Sequence, residues 1–565
     1  MSATDISGNG QPPGRNGTAV AENTEMMDGI APDVFHRRWR ILGAMCVSLL
    51  TVMLANGSLT LALPGMSADL GLTTLQQTWA MHLYALTFAA LLFTCGSVGD
   101  RYGRKILMQV GLAGFTLASV YAGFVADSGG EVIFARGLMG IAAALVMPTT
   151  LSVINNVFPR RERARAIAIW TGVAGAGAGL GSVLSGVLLE HYSWHSVFVF
   201  SAVLGLAAFV ANQLLAPESR DEHETPVDWL GGLLTTIGIL GVVYAITEGP
   251  SHGISDPLVL TGLIAGVVGL GLFLWWQTRV KHPMLDLTLF KNPVFSISTV
   301  ACLIAFFALI GSMYAISQLF QLVLGYGTLK AAVLSLPMMI PMMLLAPLVP
   351  VIVKAWGARW TITAGLALMA VGFFLASFWD AGVGYWAVML PMIVIALGMS
   401  LAMPPATELV MGSVPRNRSG MGSAMNDTSR ELGGAIGIAV LGALLSSGYS
   451  DGIADTVRAL PAQLGELADS SLAGALQGVF PALQQSAGGE TANSFLYVAR
   501  SAWMDGLSTA LVVSAAISLV AALVSGALMP GKKKLGRYVT SHEAPSDAAA
   551  GTAASADEAR KVPSA

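Results

Sequence analysis

"GSVGDRYGRK", Gly96 to Lys105, packs Asp100, Arg101, Arg104 and Lys105 into ten residues between two long apolar runs. Elsewhere the chain avoids charge. Of its 565 residues 54% are hydrophobic and only 11% charged, and its mean hydropathy is +0.67. Soluble domains carry about 25% charged residues, so this composition excludes a soluble globular protein of the same length. Net charge is −3, which gives no support to nucleic-acid binding. Cys46, Cys95 and Cys302 lie separately inside apolar runs and are read as buried thiols; neither a disulfide scaffold nor a metal site is expected.

Working outward from the loop, the apolar runs number fourteen. They are 41–68, 79–98, 106–126, 132–154, 166–189, 196–215, 230–247, 258–278, 294–320, 331–353, 360–378, 384–407, 420–447 and 506–529. Runs of about 20 residues match the ~30 Å hydrocarbon core of a bilayer. Lipid cannot satisfy free backbone groups, so each run is expected as a helix. The result is an all-α integral membrane protein. Basic clusters recur in alternate connections, at 36–40, 101–105, 160–165, 279–281, 354–359, 416–418 and 532–537. The intervening connections nearly lack Lys and Arg. The positive-inside rule then puts both termini in the cytoplasm of a multi-pass plasma (inner) membrane protein. The polar ends, 1–35 and 531–565, are expected to be disordered, and about 448–504 to be a long external loop whose Ala, Gly, Leu and Gln content suits short amphipathic helices.

Several stretches then point one way. Gly96-x-x-x-Asp100-Arg101-x-Gly103-Arg104-Lys105 lies between the second and third runs, and "ARGLMGIAAALVMP" (135–148) places Arg136 in the fourth. "GAGAGLGSVLSGVLLEHYSW" (175–194) forms the fifth, and "NDTSRELGGAIGIAVLGALL" (426–445) the thirteenth. Together they resemble the fourteen-span drug:proton antiporters of the major facilitator superfamily. The resemblance implies two six-helix bundles, 36–217 and 292–530, flanking two extra helices and a linker at 218–291. It also implies a conformational latch made by Gly96, Asp100, Arg101, Gly103, Arg104 and Lys105. The physical chemistry agrees. Gly103 permits a tight turn, Gly96 a close helix approach, and Asp100 suits a helix N-terminus. Arg104 and Lys105 equally serve as plain topological anchors. A weaker echo, "PLVPVIVKAWGARW" (347–360), keeps Gly357 and Arg359 but has Lys354 where the acid belongs.

Ionisable residues inside spans are costly and usually functional. Asp427 and Glu431 share one helix face at i, i+4, with Arg430 beside them. Two close carboxylates in low dielectric cannot both carry charge easily, which suits proton coupling; the alternative is an interfacial pair neutralised by Arg430. Arg136 organises polar groups, and the resemblance implies a part in proton relay. His82 is either a titrating group or a hydrogen-bonded packing residue. Substrate-cavity candidates are Asn56, Thr60, Tyr84, Trp170, Tyr314, Gln318 and Gln321, with Met338, Met339, Met342 and Met343 as an adaptable apolar wall or as packing.

Two departures from the resembled pattern stand out. "LANGSLTLALP" (54–64) has Ala55 where many members carry an acid. In the fifth-span motif Gly181 and Gly186 persist, while Ser182 and Ser185 replace a usual Pro and Gly.

The functional expectation is a secondary active transporter, not an enzyme. It would export lipophilic or amphipathic drugs, antibiotics or a related endogenous metabolite by alternating access. The proton gradient supplies energy and no cofactor is needed; its partners are the small molecule, protons and the bilayer, and it acts as a monomer. A non-transporting sensor or scaffold of the same fold is the alternative. "GALMPGKK" (526–533) lacks the Ser/Thr of a phosphate loop and follows a membrane helix, so an ATP-driven pump is rejected.

Overall fold

A computed structural model describes residues 30–219, 226–253 and 255–539, and among these no strand occurs. The chain forms α1 (Pro32–Leu70), α2 (Thr74–Tyr102), α3 (Arg104–Phe124), α4 (Gly129–Val157), α5 (Arg160–His191) and α6 (His195–Leu215). Next come α7 (Trp229–His252) and α8 (Pro257–Gln277), then α9 (Pro293–Gln318), which continues through a π turn, Leu319–Val323. The broken helix α10 follows (328–356), then α11 (Ala358–Ala376), α12 (Tyr385–Gly412), α13 (Ser419–Arg458) and α14 (Gly489–Leu528). Twelve helices are individually long and apolar enough to span a membrane; counting bent α5 and α10 as one span each gives fourteen.

Local chemistry sets the boundaries. Thr73 and Ser128 make reciprocal capping boxes with Gln76 and Glu131, which start α2 and α4. Gly103, at φ +113°, separates α2 from α3 with a one-residue turn that a side chain would strain. Helix contacts in lipid rely on small residues that let backbones approach. A Cβ at Gly365 of α11 would lie 2.5 Å from the Gly398 carbonyl of α12, and one at Gly266 of α8 would lie 2.5 Å from Val242 N of α7.

Helices α1–α6 pack around one buried core that includes Leu112, Phe115, Met147 and Trp170. Helices α9–α14 pack around another that includes Phe307, Met369, Phe373 and Trp503. The α7–α8 pair lies against α2 through Leu86, Phe93, Ile239 and Phe273. Asp228 clamps this pair, accepting from Gly231 N, Trp276 Nε1 and Gln277 Nε2 at 2.7–2.9 Å.

Three expectations about the ends are corrected. The external segment is not a loop from 448 to 504. Helix α13 runs on to Arg458, and α14 already starts at Gly489, because Gly448 and Gly506 let the two helices stay in contact beyond the apolar zone. Short helical pieces fill the gap, as the segment's composition suggests, and Tyr449 Oη bonds the Ala468 carbonyl at 2.9 Å. The tail expected to be disordered begins as a helix, Lys532–Val539, and α1 already starts at Pro32. The remaining terminal residues, 1–29 and 540–565, lie outside the described residues.

Candidate functional site: the interface between the two helical halves

Asp100 ends α2 and meets the first turn of α13. Gly420 N donates to its Oδ1 at 2.9 Å and Met421 N to its Oδ2 at 3.3 Å. A carboxylate at a helix N-terminus satisfies orphan donors and the positive end of the helix dipole. Arg104 grips the same carboxylate from Nε (3.1 Å) and Nη2 (2.8 Å), and Nη2 also donates to the Arg416 and Asn417 carbonyls at 3.2 Å. The pair is almost wholly buried, and its hydrogen bonds run from the first half to the second. Gly96 makes the contact possible, since a Cβ there would sit 2.7 Å from the Gly420 carbonyl oxygen. Helix α4 adds a neutral arm: Ser152 Oγ meets Ser419 Oγ at 2.7 Å, and Asn156 donates to the same hydroxyl at 3.0 Å. The loop's other cations make contacts of their own. Lys105 Nζ bonds the Gln213 carbonyl at 3.0 Å, and Arg101 lies 5.4 Å from the Tyr102 ring centroid.

Deeper in the interface, α13 carries Asp427 and Arg430, both buried and 3.5 Å apart. The Arg430 guanidinium faces the Trp170 ring of α5 at 5.2 Å and the Phe306 ring of α9 at 4.4 Å, so one cation touches both halves. Glu431 is half-buried and within electrostatic reach of Arg430, Asp427 and Tyr84 of α2. Tyr84 in turn lies under Arg136 of α4, with the guanidinium carbon 4.4 Å from the ring centroid. Arg136 donates to backbone carbonyls, from Nη1 to that of Ala55 at 3.1 Å and from Nε to that of Ala80 at 3.2 Å. The position where many antiporters carry an acid thus contributes a backbone dipole.

The expected residues are only partly gathered. Tyr84, Arg136, Trp170, Asp427, Arg430 and Glu431 form one connected set. His82 lies apart on α2, within electrostatic reach of Glu248 on α7. Tyr84 and Trp170 are fully buried and hydrogen-bonded, to the Val52 carbonyl (2.9 Å) and Thr150 Oγ1 (3.1 Å), which makes them framework rather than open cavity wall. Tyr314 and Gln318 end α9, and Gln321 sits on the π turn bonded to Ser317 at 2.9 Å. The side chains of Asn56 and Thr60 lie outside the described residues. Gly181 packs as expected, with a Cβ there 2.6 Å from the Leu54 carbonyl, and Gly186 faces Leu329 of α10. Helix α5 bends by 42° between its two segments despite lacking the usual proline.

Two acids were missed by sequence reasoning. Glu248 and Glu408 each follow immediately on a run that was ended at the preceding threonine, whereas α7 and α12 continue past them. Glu408 is within electrostatic reach of Arg163 on α5, across the interface.

The pattern of the Major Facilitator Superfamily matches residues 45–438. The multidrug efflux pump LfrA of Mycolicibacterium smegmatis is 34% identical over 87% of this chain and 96% of its own. The tetracenomycin C resistance and export protein of Streptomyces glaucescens is 28% identical over 86% of this chain and 91% of its own. Among solved structures, the human organic anion transporter MFSD10 superposes with a TM-score of 0.56 over 86% of this chain and 99% of that one, at 13% identity. That last likeness concerns the fold.

Proposed function

We propose an export function from one premise: this chain belongs to the major facilitator superfamily, a family of multi-pass membrane transporters. The cargo is a lipophilic or amphipathic drug, antibiotic or related metabolite, a reading supported by the export and efflux names of its relatives. The same names disfavour a sensor or scaffold that transports nothing.

The observation that carries the mechanism is the Asp427–Arg430–Glu431 cluster at the contact between halves. Protons arriving on these acids weaken their hold on Arg430, and Arg430 is the group that touches Trp170 of the other half. Proton entry therefore changes the contact that must break when the halves rock about a central site. Inward proton flow drives the cargo out with no bound cofactor, one chain suffices, and both termini face the cytoplasm of the plasma membrane. Arg136 and Arg430 balance the two acids when both are ionised, so the centre lacks the net negative charge that a dication would seek. Neutral, anionic and weakly cationic cargo is preferred.

Glu431→Gln tests the coupling. In proteoliposomes with an imposed pH gradient, gradient-driven export is expected to fall about a hundredfold or more, the low end of what a positioned proton-transfer group contributes. Dye binding should be retained. Unchanged gradient-driven export would remove the cluster from the mechanism.

A further inference from the structure

One end of the second half carries cations that no protein acid neutralises. Neither 347–360 nor 526–539 contains an Asp or Glu, yet Lys354, Arg359, Lys532, Lys533 and Lys534 fall within them. Among the described residues none of the five takes part in an ion pair. The first half differs at the matching turn, where Arg104 is paired with Asp100.

The fold gathers these cations into one patch. Helix α14 ends at Leu528, and the tail helix, Lys532–Val539, starts after three residues. At about 3.5 Å per residue the first lysine stays within about 14 Å of the end of the span. Leu535 and Tyr538 pack against the second-half core, and Asn292 Nδ2, at the start of α9, donates to the Tyr538 carbonyl at 3.1 Å. Lys532 Nζ donates at 2.8 Å to the Lys354 carbonyl, in the last turn of α10, where carbonyls lack a helical partner. A Cβ at Gly357 would lie 3.7 Å from Lys532 Cβ. Held in this way, the tail helix leaves Lys532, Lys533 and Lys534 exposed beside the exposed Lys354.

The surroundings of the patch fix its depth. Trp356 and Trp360 flank the α10–α11 turn and are 59% and 55% exposed, as in the aromatic belts that mark the headgroup level of a bilayer. Arg359 lies beside Trp360, its guanidinium carbon 5.0 Å from the ring centroid, and its Nη2 donates to the Gly526 carbonyl of α14. Long basic side chains at this level keep their stems on apolar surface and hold their charged ends among the headgroups.

We propose that this patch binds the phosphate headgroup of an anionic phospholipid. Basic clusters just beyond a span attract anionic lipid, and each cation near the surface strengthens the attraction roughly fivefold. All protein contacts of the patch lie in the second half, so bound lipid loads one half of the molecule and not the other. The proposal is independent of the cargo; only its placement in the inner leaflet rests on the reading that both termini are cytoplasmic.

The full chain in detergent is titrated with dioleoylphosphatidylglycerol or, in parallel, dioleoylphosphatidylcholine, and bound lipids are counted by native mass spectrometry. The unsubstituted chain should retain phosphatidylglycerol in preference. Lys532→Gln, Lys533→Gln and Lys534→Gln combined should weaken that binding about a hundredfold and leave phosphatidylcholine unchanged. Should the triple variant melt early, Lys533→Gln alone takes its place, with about fivefold weakening expected. Arg279→Gln with Lys281→Gln removes two cations from another basic connection and should leave the tightest phosphatidylglycerol in place. Equal retention of the two lipids by the unsubstituted chain, or equal weakening by the patch and control variants, overturns the site. Displacement of the lipid by inorganic phosphate overturns it too, since the occupant would then be a soluble anion. Orientation is read separately: Lys533→Cys should react with a membrane-impermeant maleimide in everted vesicles and not in intact cells. Reaction in intact cells would sink the cytoplasmic reading and leave the lipid counts standing.

Discussion

The two flanks of the interface are closed by opposite chemistries. On the α2–α13 flank a buried carboxylate receives two backbone N–H groups and an arginine, and the glycines Gly96 and Gly420 bring the backbones together. On the α5–α10 flank the contact is methionine against glycine, with little directional bonding. The loop sequences record the same division. After α2 comes Asp100 with Arg104; after α10 comes Lys354 with Arg359. Gly357 keeps the turn, at φ +83°, yet Arg359 bonds the Gly526 carbonyl of α14, inside its own half. Lys354 contributes its carbonyl to Lys532 at 2.8 Å, and its side chain is exposed. A charged clasp opens or stays shut, whereas an oily seam slides and deforms. One molecule uses the first as a switch and the second as an adaptable surface.

Breaking the polar flank should have the largest effect. Asp100→Ala strands Arg104 in a buried site, and removing one partner of such a pair costs about 3–5 kcal/mol. Dye export in everted vesicles should be nearly abolished, with Asp100→Asn intermediate because it keeps an acceptor for Gly420 N. Export at the unsubstituted rate in Asp100→Ala would deny the clasp any role. Next in size is Gly96→Ala, whose Cβ meets the Gly420 backbone at 2.7 Å. Overpacking of this kind costs about 1–3 kcal/mol and should lower the melting temperature of the purified protein. Gly186→Ala on the oily flank meets the flexible end of Leu329 and, at ordinary contact distance, Leu61, so about 1 kcal/mol or less is expected. Equal destabilisation by the two alanines would erase the contrast. Smallest of all, Lys354→Ala should change stability by no more than about 0.5 kcal/mol and leave export unchanged.

Much of this was legible in the chain because a bilayer imposes simple rules. Apolar length located the spans, and Asp100 suited a helix N-terminus because a carboxylate is favoured there. What was hidden follows from how charge was used. A glutamate was taken to end an apolar run, so Glu248 and Glu408 fell outside their spans. In the folded chain each is sheltered by a neighbouring helix, and helices do not stop at the edge of hydropathy. The 448–504 segment misled in the same way: its polar residues mark departure from lipid, not the end of helix. Contacts between distant residues were out of reach altogether. Nothing in local sequence joins Ser152 to Ser419, or sets Trp170 against Arg430. Tyr84 and Trp170 looked like cavity wall because aromatic and polar groups suit both roles, and only their hydrogen bonds assign them to the framework.

Helix α13 gathers three of these features on one rod. Its first turn receives Asp100, Asp427 to Glu431 lie roughly two turns further on, and its far end rises beside α14 outside the apolar zone. Its 40 residues measure about 60 Å at 1.5 Å per residue. Treated as a lever pivoting at the clasp, a tilt of about 10° carries its tip through about 10 Å at that length. The far tip is therefore a mechanical gauge of the opposite membrane face, and a pair of fluorophores near Arg458 and near Asp127, in the α3–α4 connection of the first half, would register the clasp opening without touching it.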